Sequence, residues 1–321
     1  MIILTGGLGF IGSNILQGLN EIGYDNIIIC DWHKKIGGKN VANQKFIKII
    51  NPDSLFNFLK SNKNIEYIIH MGAISSTTEN NFKLIYNNNT VFSRNIWNWC
   101  TLNNVKLIYA SSAATYGDGS NGFNDLATKA YKPLNYYGWS KYFFDKYATK
   151  QSQNKKNPPQ WVGLKFFNVY GPNEYHKGKM QSVVKHSVDQ IKEHGYVNLF
   201  KSYNSKYKNG GQIRDFIYVN DCISVIQWFI KNPQISGIFN CGTGEGRTFE
   251  DLVKAVFQTI KKSPKINYIE MPDNIKNQYQ YYTKAENIKL KNIGYKKAFT
   301  SLEDGISDYL KKYLLKNNIY R

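Results

Sequence analysis

The chain has 321 residues, of which 42% are hydrophobic and 15% aromatic, which is enough for a large buried core and excludes a disordered chain. Its formal net charge is +19, with 42 Lys and Arg against 23 Asp and Glu, and the basic residues are spread along the whole length. Because nucleic-acid binders gather such residues in one arm or stripe, this charge favours an anionic small-molecule substrate over a nucleic acid.

The sequence contains no apolar run long enough to span a bilayer and no pattern of a signal peptide at its start. Its four cysteines, Cys30, Cys100, Cys222 and Cys241, lie in apolar segments without CxxC spacing. We therefore expect buried reduced thiols, no metal site, no membrane association and a location in the cytoplasm.

Apolar strands alternate with helical segments through the first half of the chain. The strands are "IILT", "NIIICD", "EYIIHMGA", "KLIYASSA" and "WVGLKFFNV", and the helices are predicted near 10–19, 80–103 and 136–148. This alternation is typical of βαβ units and predicts an α/β fold with a Rossmann-type, doubly wound parallel sheet.

After Gly171-Pro172 the alternation is less regular. Helices are predicted at 182–193 and 250–261 and after Ser301, an exposed loop at 201–212, and a strand that runs into a helix at 214–230. We expect a dinucleotide-binding domain of residues 1–168 and 211–240, and a smaller α/β substrate domain of residues 169–210 and 241–321.

A glycine-rich turn, Gly6-Gly7-Leu8-Gly9-Phe10-Ile11-Gly12, lies between the first strand and the first helix. Glycines there let backbone amides approach a pyrophosphate at the helix N-terminus, and Asp31 ends the next strand, as a dinucleotide site requires. Asp31 suits the ribose hydroxyl of NAD, whereas Lys34, Lys35 and Lys39 suit the 2′-phosphate of NADP. The residues alone leave that choice open.

Tyr137 and Lys141 are four residues apart in a predicted helix and therefore share a face. We expect the lysine ammonium to lower the pKa of the phenol towards the range of a general base. Ser112 follows the carboxyl end of the strand one βα unit earlier, where ligands gather in a doubly wound sheet. These three residues indicate chemistry at a hydroxyl or carbonyl group.

In this order, the glycine turn, Ser112 and Tyr-x-x-x-Lys resemble the extended short-chain dehydrogenases/reductases. More specific segments are "HMGAISSTTE", "YASSAATYG", "KPLNYYGWSK", "FFNVYGPNEYHKGKM" and "RDFIYVNDC". With "GIFNCGTG" and "NQYQYYT" they extend the resemblance over nearly the whole chain to one family within that group, the ADP-L-glycero-D-manno-heptose 6-epimerases. The resemblance implies epimerisation at C6 of an ADP-heptose through transient oxidation by bound NADP, in a homo-oligomer that is pentameric in this family.

The resemblance also assigns residues. Lys177 becomes a second acid/base beside Tyr137, because the two epimers present their hydroxyl groups in different directions and one base cannot serve both well. The alternative is that Lys177 is solvated surface. The implied catalytic residues are Tyr137, Lys177, Lys141 and Ser112. The implied cofactor contacts are Gly6, Gly9, Phe10, Ile11, Gly12, Asp31, Trp32, Lys39, Met71, Gly72, Ala73, Ile74, Ser75, Asn89, Tyr137, Lys141, Val169 and Lys177. The implied substrate contacts are Ser112, Asn168, Lys179, His186, Phe200, Lys201, Ser202, Tyr203, Arg214 and Tyr279.

Three departures from the family pattern leave the sugar and nucleotide open. Trp32 stands where the family usually has Asn, Lys179 replaces a small residue, and the segment after Phe200 lacks an acidic residue and a glycine. A 4-epimerase is the alternative within the superfamily. A 4,6-dehydratase is disfavoured because Ala113-Ala114 follow Ser112 where that chemistry uses Asp-Glu. A cofactor-sensing or RNA-binding protein on the same fold is disfavoured by the presence of Tyr137 and Lys141.

Overall fold

A computed structural model describes residues 1–32, 38–126, 131–276 and 279–321. Seven strands form one parallel sheet in the order β11-β6-β5-β4-β1-β2-β3. Their bounds are β1 Ile2–Thr5, β2 Ile27–Cys30, β3 Lys48–Ile50, β4 Tyr67–His70, β5 Lys106–Ser112, β6 Trp161–Phe166 and β11 Gly237–Cys241. The predicted doubly wound sheet is therefore confirmed, and its strand order reverses at β1, which pairs with β2 on one side and β4 on the other.

Three further pairs of strands lie outside the central sheet, namely β7 with β10, β9 with β12, and β8 with β13. Their bounds are β7 Asn168–Tyr170, β8 Val197–Phe200, β9 Ile213–Arg214, β10 Phe216–Tyr218, β12 Arg247–Thr248 and β13 Ile266–Ile269. The pair β9–β12 is antiparallel and the other two are parallel.

Helices pack on both faces of the sheet and around a separate core beside it. They are α1 Phe10–Glu21, α2 Leu55–Ser61, α3 Phe82–Ile85, α4 Phe92–Leu102, α5 Tyr136–Gln153, α6 Val183–His194, α7 Val219–Lys231, α8 Phe249–Thr259, α9 Asp273–Lys276, α10 Ile288–Asn292 and α11 Leu302–Tyr309. The helix predicted near 80–103 is interrupted, since a π-helical turn at Tyr86–Val91 separates α3 from α4. Such turns are frequent at functional sites.

Two apolar cores lie on the faces of the central sheet. One includes Leu4, Ile69 and Val162 beneath α1 and α7, and the other includes Ile68 and Trp97 beneath α4 and α5. Side chains alternate between the faces of a strand, so the neighbours Ile68 and Ile69 enter opposite cores. This two-sided burial explains why the sheet strands read as continuous apolar runs.

A separate core lies between α6, α8 and α11. It contains Val184, Val188, Leu252, Val256 and Ile306, all buried. The strands β7 and β10, which lead from the central sheet, also pack here through Tyr170 and Tyr218. These helices and strands form a second layer, which is attached to the central sheet close to the end of β6.

The four cysteines are free and buried, as predicted. Among the described residues, no helix is long and apolar enough to cross a membrane. Within the same ranges, no group of three or more His, Cys, Asp or Glu side chains is placed to hold a metal ion.

Candidate active site

A cavity of about 1070 Å³ opens at the carboxyl ends of the sheet strands and extends to the second layer. It lies where the strand order reverses, which is the usual ligand site of such sheets. The structure brings most of the predicted site residues to its walls. They are Gly6, Gly9, Phe10, Ile11, Gly12, Asp31, Trp32, Met71, Gly72, Ala73, Ile74, Ser75, Ser112, Tyr137, Lys141, Asn168, Val169, Lys177, Arg214 and Tyr279.

Other predicted site residues lie away from the walls of this cavity. They are Lys39, Asn89, Lys179, His186, Phe200, Lys201, Ser202 and Tyr203. Two more, Lys34 and Lys35, lie outside the described residues.

The glycine turn is tight enough to exclude side chains at two positions. Gly6 has φ +68°, and a Cβ there would lie 2.6 Å from the backbone nitrogen of Gly72. A Cβ on Gly12 would lie 2.0 Å from the carbonyl oxygen of Gly6. Because α1 begins at Phe10, this compact turn leaves the helix N-terminus and its amides open to the cavity.

Asp31 closes the other side of the turn. Its Oδ2 accepts a hydrogen bond from the Leu8 amide at 2.9 Å, and its Oδ1 accepts one from the Trp32 amide at 2.8 Å. Burial raises the pKa of Asp31, while these amide hydrogen bonds lower it. The side chain therefore ties β2 to the glycine turn and lines the cavity with oxygen acceptors that suit a ribose hydroxyl.

A buried histidine positions the loop after β4. Ser93 Oγ donates to the Asn89 carbonyl at 2.6 Å, so it accepts from His70 Nε2 at 2.8 Å. This arrangement leaves His70 Nδ1 to accept from the Thr5 hydroxyl at 2.6 Å, and that hydroxyl in turn accepts from the Gly72 amide at 3.1 Å. Burial lowers the pKa of His70 to about 3, so the ring is neutral and its tautomer is set by this chain of bonds.

Asn89 acts on the same loop from behind. Its side chain is buried, accepts from the Ile74 amide at 2.8 Å and donates to the Ile74 carbonyl at 2.9 Å. Its amide also lies 3.0 Å from Ser140 Oγ on α5. It therefore orients the cavity loop and links it to the helix that carries Tyr137 and Lys141.

Helix α5 approaches the end of β5 closely. Asn135 caps the helix by accepting from the Gly138 amide at 2.8 Å, and a Cβ on Gly138 would lie 2.7 Å from the Ala114 carbonyl. This close approach places Tyr137 near the Ser112 hydroxyl, which lowers the pKa of the phenol against the effect of burial. Lys141, one turn further, donates from Nζ to the Ala110 carbonyl at 2.8 Å.

The expected effect of Lys141 on Tyr137 does not appear. Burial raises the pKa of Tyr137 above its ordinary value of 10.0, and the nearby Ser112 hydroxyl only partly opposes this. The pKa of Lys141 itself falls to about 8, because the ammonium is buried. Burial is the first cause of both shifts, so the prediction of a phenol with a lowered pKa is wrong for this structure.

Lys177 lies in a short 3-10 turn, Tyr175–Met180, and is half-buried. Its Nζ lies 5.2 Å from the centre of the Phe10 ring at the start of α1. Burial lowers the pKa of this ammonium, and the carboxylate of Glu174 opposes that shift. The lysine thus lines the same cavity as Tyr137 and differs from a solvated surface lysine.

Arg214 lines the cavity and is 7% exposed. Its guanidinium lies between two rings, 5.5 Å from the centre of Phe249 and 5.2 Å from that of Tyr279. Within the part of the chain that the structure describes, no carboxylate forms an ion pair with it. A buried cation without a counter-charge is costly, so this end of the cavity is suited to an anion.

The segment after β8 has other partners. Lys201 Nζ donates to Glu270 at 2.5 Å, and the hydroxyl of exposed Tyr203 also donates to Glu270. The Ser202 amide donates to Asn209 at 2.8 Å. His186, on α6, lies 3.4 Å from the carbonyl of Lys179, which is exposed in the Lys177 turn.

Sequence reasoning missed several residues that line the cavity or lie behind its wall. Thr5 and His70 end strands β1 and β4, and polar residues at the ends of apolar strands were a signal available for them. Phe249 is the first residue of α8, whose start is marked by a capping box of Thr248 and Asp251. The sequence therefore predicted the helix but not the contact between Phe249 and Arg214. The buried pair of Lys165 and Asp145, 2.6 Å apart under β5 and α5, left no signal in the local pattern.

The model of the NAD dependent epimerase/dehydratase family matches residues 2–242. The chain is 46% identical to the ADP-L-glycero-D-manno-heptose-6-epimerase of Fusobacterium nucleatum, over 100% of both chains. It is 42% identical to the enzyme of that name from Nitratidesulfovibrio vulgaris, over 98% of both. In structure it is similar to the ADP-L-glycero-D-manno-heptose-6-epimerase of Helicobacter pylori, with a TM-score of 0.82, 29% identity, and coverage of 97% of this chain and 95% of that one.

The closed geometry of the glycine turn makes a testable prediction. Gly12→Ala should weaken nicotinamide-dinucleotide binding by about tenfold or more, because the new Cβ meets the Gly6 carbonyl and opens the turn. Titration calorimetry with NADP⁺ and with NAD⁺ measures the effect. Gly38→Ala is the matched control, since a Cβ there meets nothing within 4 Å. Equal affinity in the two variants would contradict the role of the turn.

Proposed function

The chain belongs to the NAD-dependent epimerase/dehydratase family, and we propose that it converts ADP-D-glycero-D-manno-heptose to ADP-L-glycero-D-manno-heptose by epimerisation at C6. The observation that carries the proposal is that Tyr137 and Lys177 line one cavity together. Two separately placed acid/base groups are what a change of configuration at a hydroxyl-bearing carbon needs.

The residues of the cavity fit the nicotinamide cofactor of the family. The glycine turn, the amides at the start of α1, Asp31 and the loop Met71–Ser75 would hold it. When bound, the cofactor supplies a hydride acceptor at C6 and later returns the hydride. We favour NADP over NAD because basic residues follow Asp31 in the sequence, although Lys39 is exposed and away from the cavity wall.

The proposed proton chemistry uses Tyr137 and Lys177 as a pair. One group takes the proton from the C6 hydroxyl, and the other gives a proton to the alkoxide that forms with inverted configuration. Burial raises the pKa of Tyr137 and lowers that of Lys177, so the cavity disfavours the charged form of each group. Such opposite shifts in one site are typical of acid/base partners.

Ser112 and Lys141 support Tyr137 in this proposal. The Ser112 hydroxyl lowers the pKa of the phenol and, at the end of β5, lines the same cavity. Lys141 provides a positive charge on the same helix face, fixed by its bond to the Ala110 carbonyl. Both would stabilise negative charge on the phenol oxygen or the substrate oxygen during proton transfer.

Arg214 is the proposed anchor for the diphosphate of the substrate. A guanidinium offers a fork of donors that matches phosphate oxygens, and here it is held between the rings of Phe249 and Tyr279. Asn168 lines the same cavity, where a sugar hydroxyl can reach it. Lys179, His186 and residues 200–203 remain proposed substrate contacts on the resemblance alone.

The division into two domains, at residues 168/169, 210/211 and 240/241, is proposed on the two sets of cores described above.

We place the protein in the cytoplasm, which the four free thiols support. By resemblance we also propose that the chain forms a homo-oligomer, a pentamer. Light scattering, which measures the molar mass in solution, tests this proposal.

The cofactor assignment predicts that purified protein carries NADP(H), because an epimerase must retain the hydride between the two half-reactions. Denaturing the protein and identifying the released nucleotide by mass spectrometry measures this. Release of NAD alone would overturn the choice of NADP, and release of no dinucleotide would contradict the oxidation mechanism.

The assignment of Tyr137 and Lys177 as two acid/base groups predicts two separate losses of activity. Tyr137→Phe and Lys177→Met should each lower epimerisation by about 10²–10⁴-fold, since each removes one of the two proton-transfer groups. The double variant should lose far less than the product of the two, because groups that act as a unit are not additive. NMR of ADP-D-glycero-D-manno-heptose turnover measures all three.

Matched controls are Tyr136→Phe and Lys206→Met, both at exposed positions away from the cavity. These variants should keep wild-type turnover. Wild-type epimerisation in Lys177→Met would show that this lysine is surface after all.

Arg214→Ala should raise KM for the sugar nucleotide by about 10–100-fold with a smaller effect on kcat, because a phosphate contact is present in both ground and transition states. Arg214→Lys should lie between wild type and alanine, since it keeps the charge and loses the fork. Steady-state kinetics measures both variants. An unchanged KM with a collapsed kcat would contradict the anchoring role.

A further inference from the structure

The carboxylate of Glu174 takes no part in the proton transfers proposed above, yet it lies three residues before Lys177. It is 0% exposed and lies behind the cavity wall. Burying a carboxylate costs free energy unless hydrogen bonds and charges compensate. The groups around it therefore indicate what it holds in place.

Glu174 holds both ends of the loop that carries Lys177. Its backbone carbonyl accepts from the Lys177 amide at 3.1 Å, at the start of the 3-10 turn. Its side chain accepts from the Ser182 hydroxyl at 2.7 Å and from the Ser182 amide, at the residue that caps α6. The loop 174–182 is thus closed on itself by one side chain.

The closed loop is also fixed to neighbouring elements. Tyr309, at the end of α11, donates its hydroxyl to Glu174 at 3.1 Å. The amide of Asn40 lies 2.9 Å from the Leu8 carbonyl in the glycine turn, and 3.2 Å from Nδ1 of His176 in the Lys177 turn. The position of Lys177 is therefore set against both the second layer and the glycine turn.

The charges of Glu174 and Lys177 act on each other. The ammonium of Lys177 lowers the pKa of Glu174 against the effect of burial, and the carboxylate raises the pKa of Lys177 against the effect of burial. Other titratable groups around the pair favour their neutral forms. Burial lowers the pKa of His176, with the Lys177 charge as a second cause, and burial raises the phenol pKa values of Tyr175 and Tyr309.

We propose that Glu174 is a positioning residue for Lys177: it closes the loop that presents the lysine to the cavity and places a compensating negative charge behind the ammonium. This inference rests on the proposed function of Lys177 as an acid/base. Glu174 touches neither substrate nor cofactor, because it does not line the cavity. Its effect is on where the lysine lies and on which protonation state it holds.

Competitive acetylation over a series of pH values, read by mass spectrometry, tests the charge on each lysine without reference to turnover. In Glu174→Gln, the midpoint for Lys177 should move to lower pH by about one unit, because the negative charge that favours the ammonium is gone. The midpoint of Lys141, whose pKa depends on burial and Asp145, should not move and serves as the internal control. Glu174→Asp keeps the charge and should stay near wild type.

Kinetics adds a second measurement. Glu174→Gln should lower kcat by about 10–100-fold with little change in KM, because the reacting geometry is disturbed and the binding residues are not. An unmoved Lys177 midpoint in folded Glu174→Gln would overturn the proposal. Wild-type turnover in Lys177→Met would instead overturn the acid/base role, so the two failures are distinguishable.

If Glu174→Gln does not fold, the reciprocal experiment replaces it. In Lys177→Met, carbon NMR of the Glu174 carboxyl should show a further rise in its pKa, because the nearby ammonium is lost. An unchanged titration of Glu174 in that variant would contradict the proposal equally.

Discussion

Parallel pairing of the strands is the constraint on which the site depends, because every parallel strand of a sheet ends at the same edge. Strand β1 delivers the glycine turn to that edge, β2 delivers Asp31, β4 delivers the Met71–Ser75 loop, and β5 delivers Ser112. The central position of β1 brings the turn between β2 and β4. Hydrogen bonds such as those of His70 then fix the positions of segments that the sheet has already brought close together.

Burial of ionisable side chains is the second constraint on the cavity. Tyr137, Lys141, Lys177 and Arg214 all have pKa values shifted first by desolvation, and in each case the shift favours the neutral form. The charged forms of these groups would be more stable in water, so burying them in the cavity costs free energy of folding. In the proposed mechanism, an anionic substrate would recover part of that cost at Arg214, and proton transfer would use the shifted pKa values of Tyr137 and Lys177.

Local patterns in the sequence were enough for the sheet, the glycine turn and the Tyr137–Lys141 face, because spacing along one element determines each of them. Contacts between distant segments were not readable in this way. Glu174 meets Tyr309 across 135 positions, and Arg214 meets Phe249 only once β9 and α8 are packed. The pKa of Tyr137 was predicted with the wrong sign, since desolvation depends on the whole fold and on no local spacing. Asn89 was expected at the cavity wall, and its side chain instead holds the Ile74 backbone that forms the wall.

In the proposed mechanism, configuration at C6 changes through oxidation and return of the same hydride within one cavity. The most direct measurement uses ADP-D-glycero-D-manno-heptose that carries deuterium at C6, incubated with the protein in ordinary water and followed by NMR. We expect an L-glycero product that retains the deuterium at C6, because in this mechanism the hydride never exchanges with solvent. A product with hydrogen from water at C6, or no conversion at all, would contradict it.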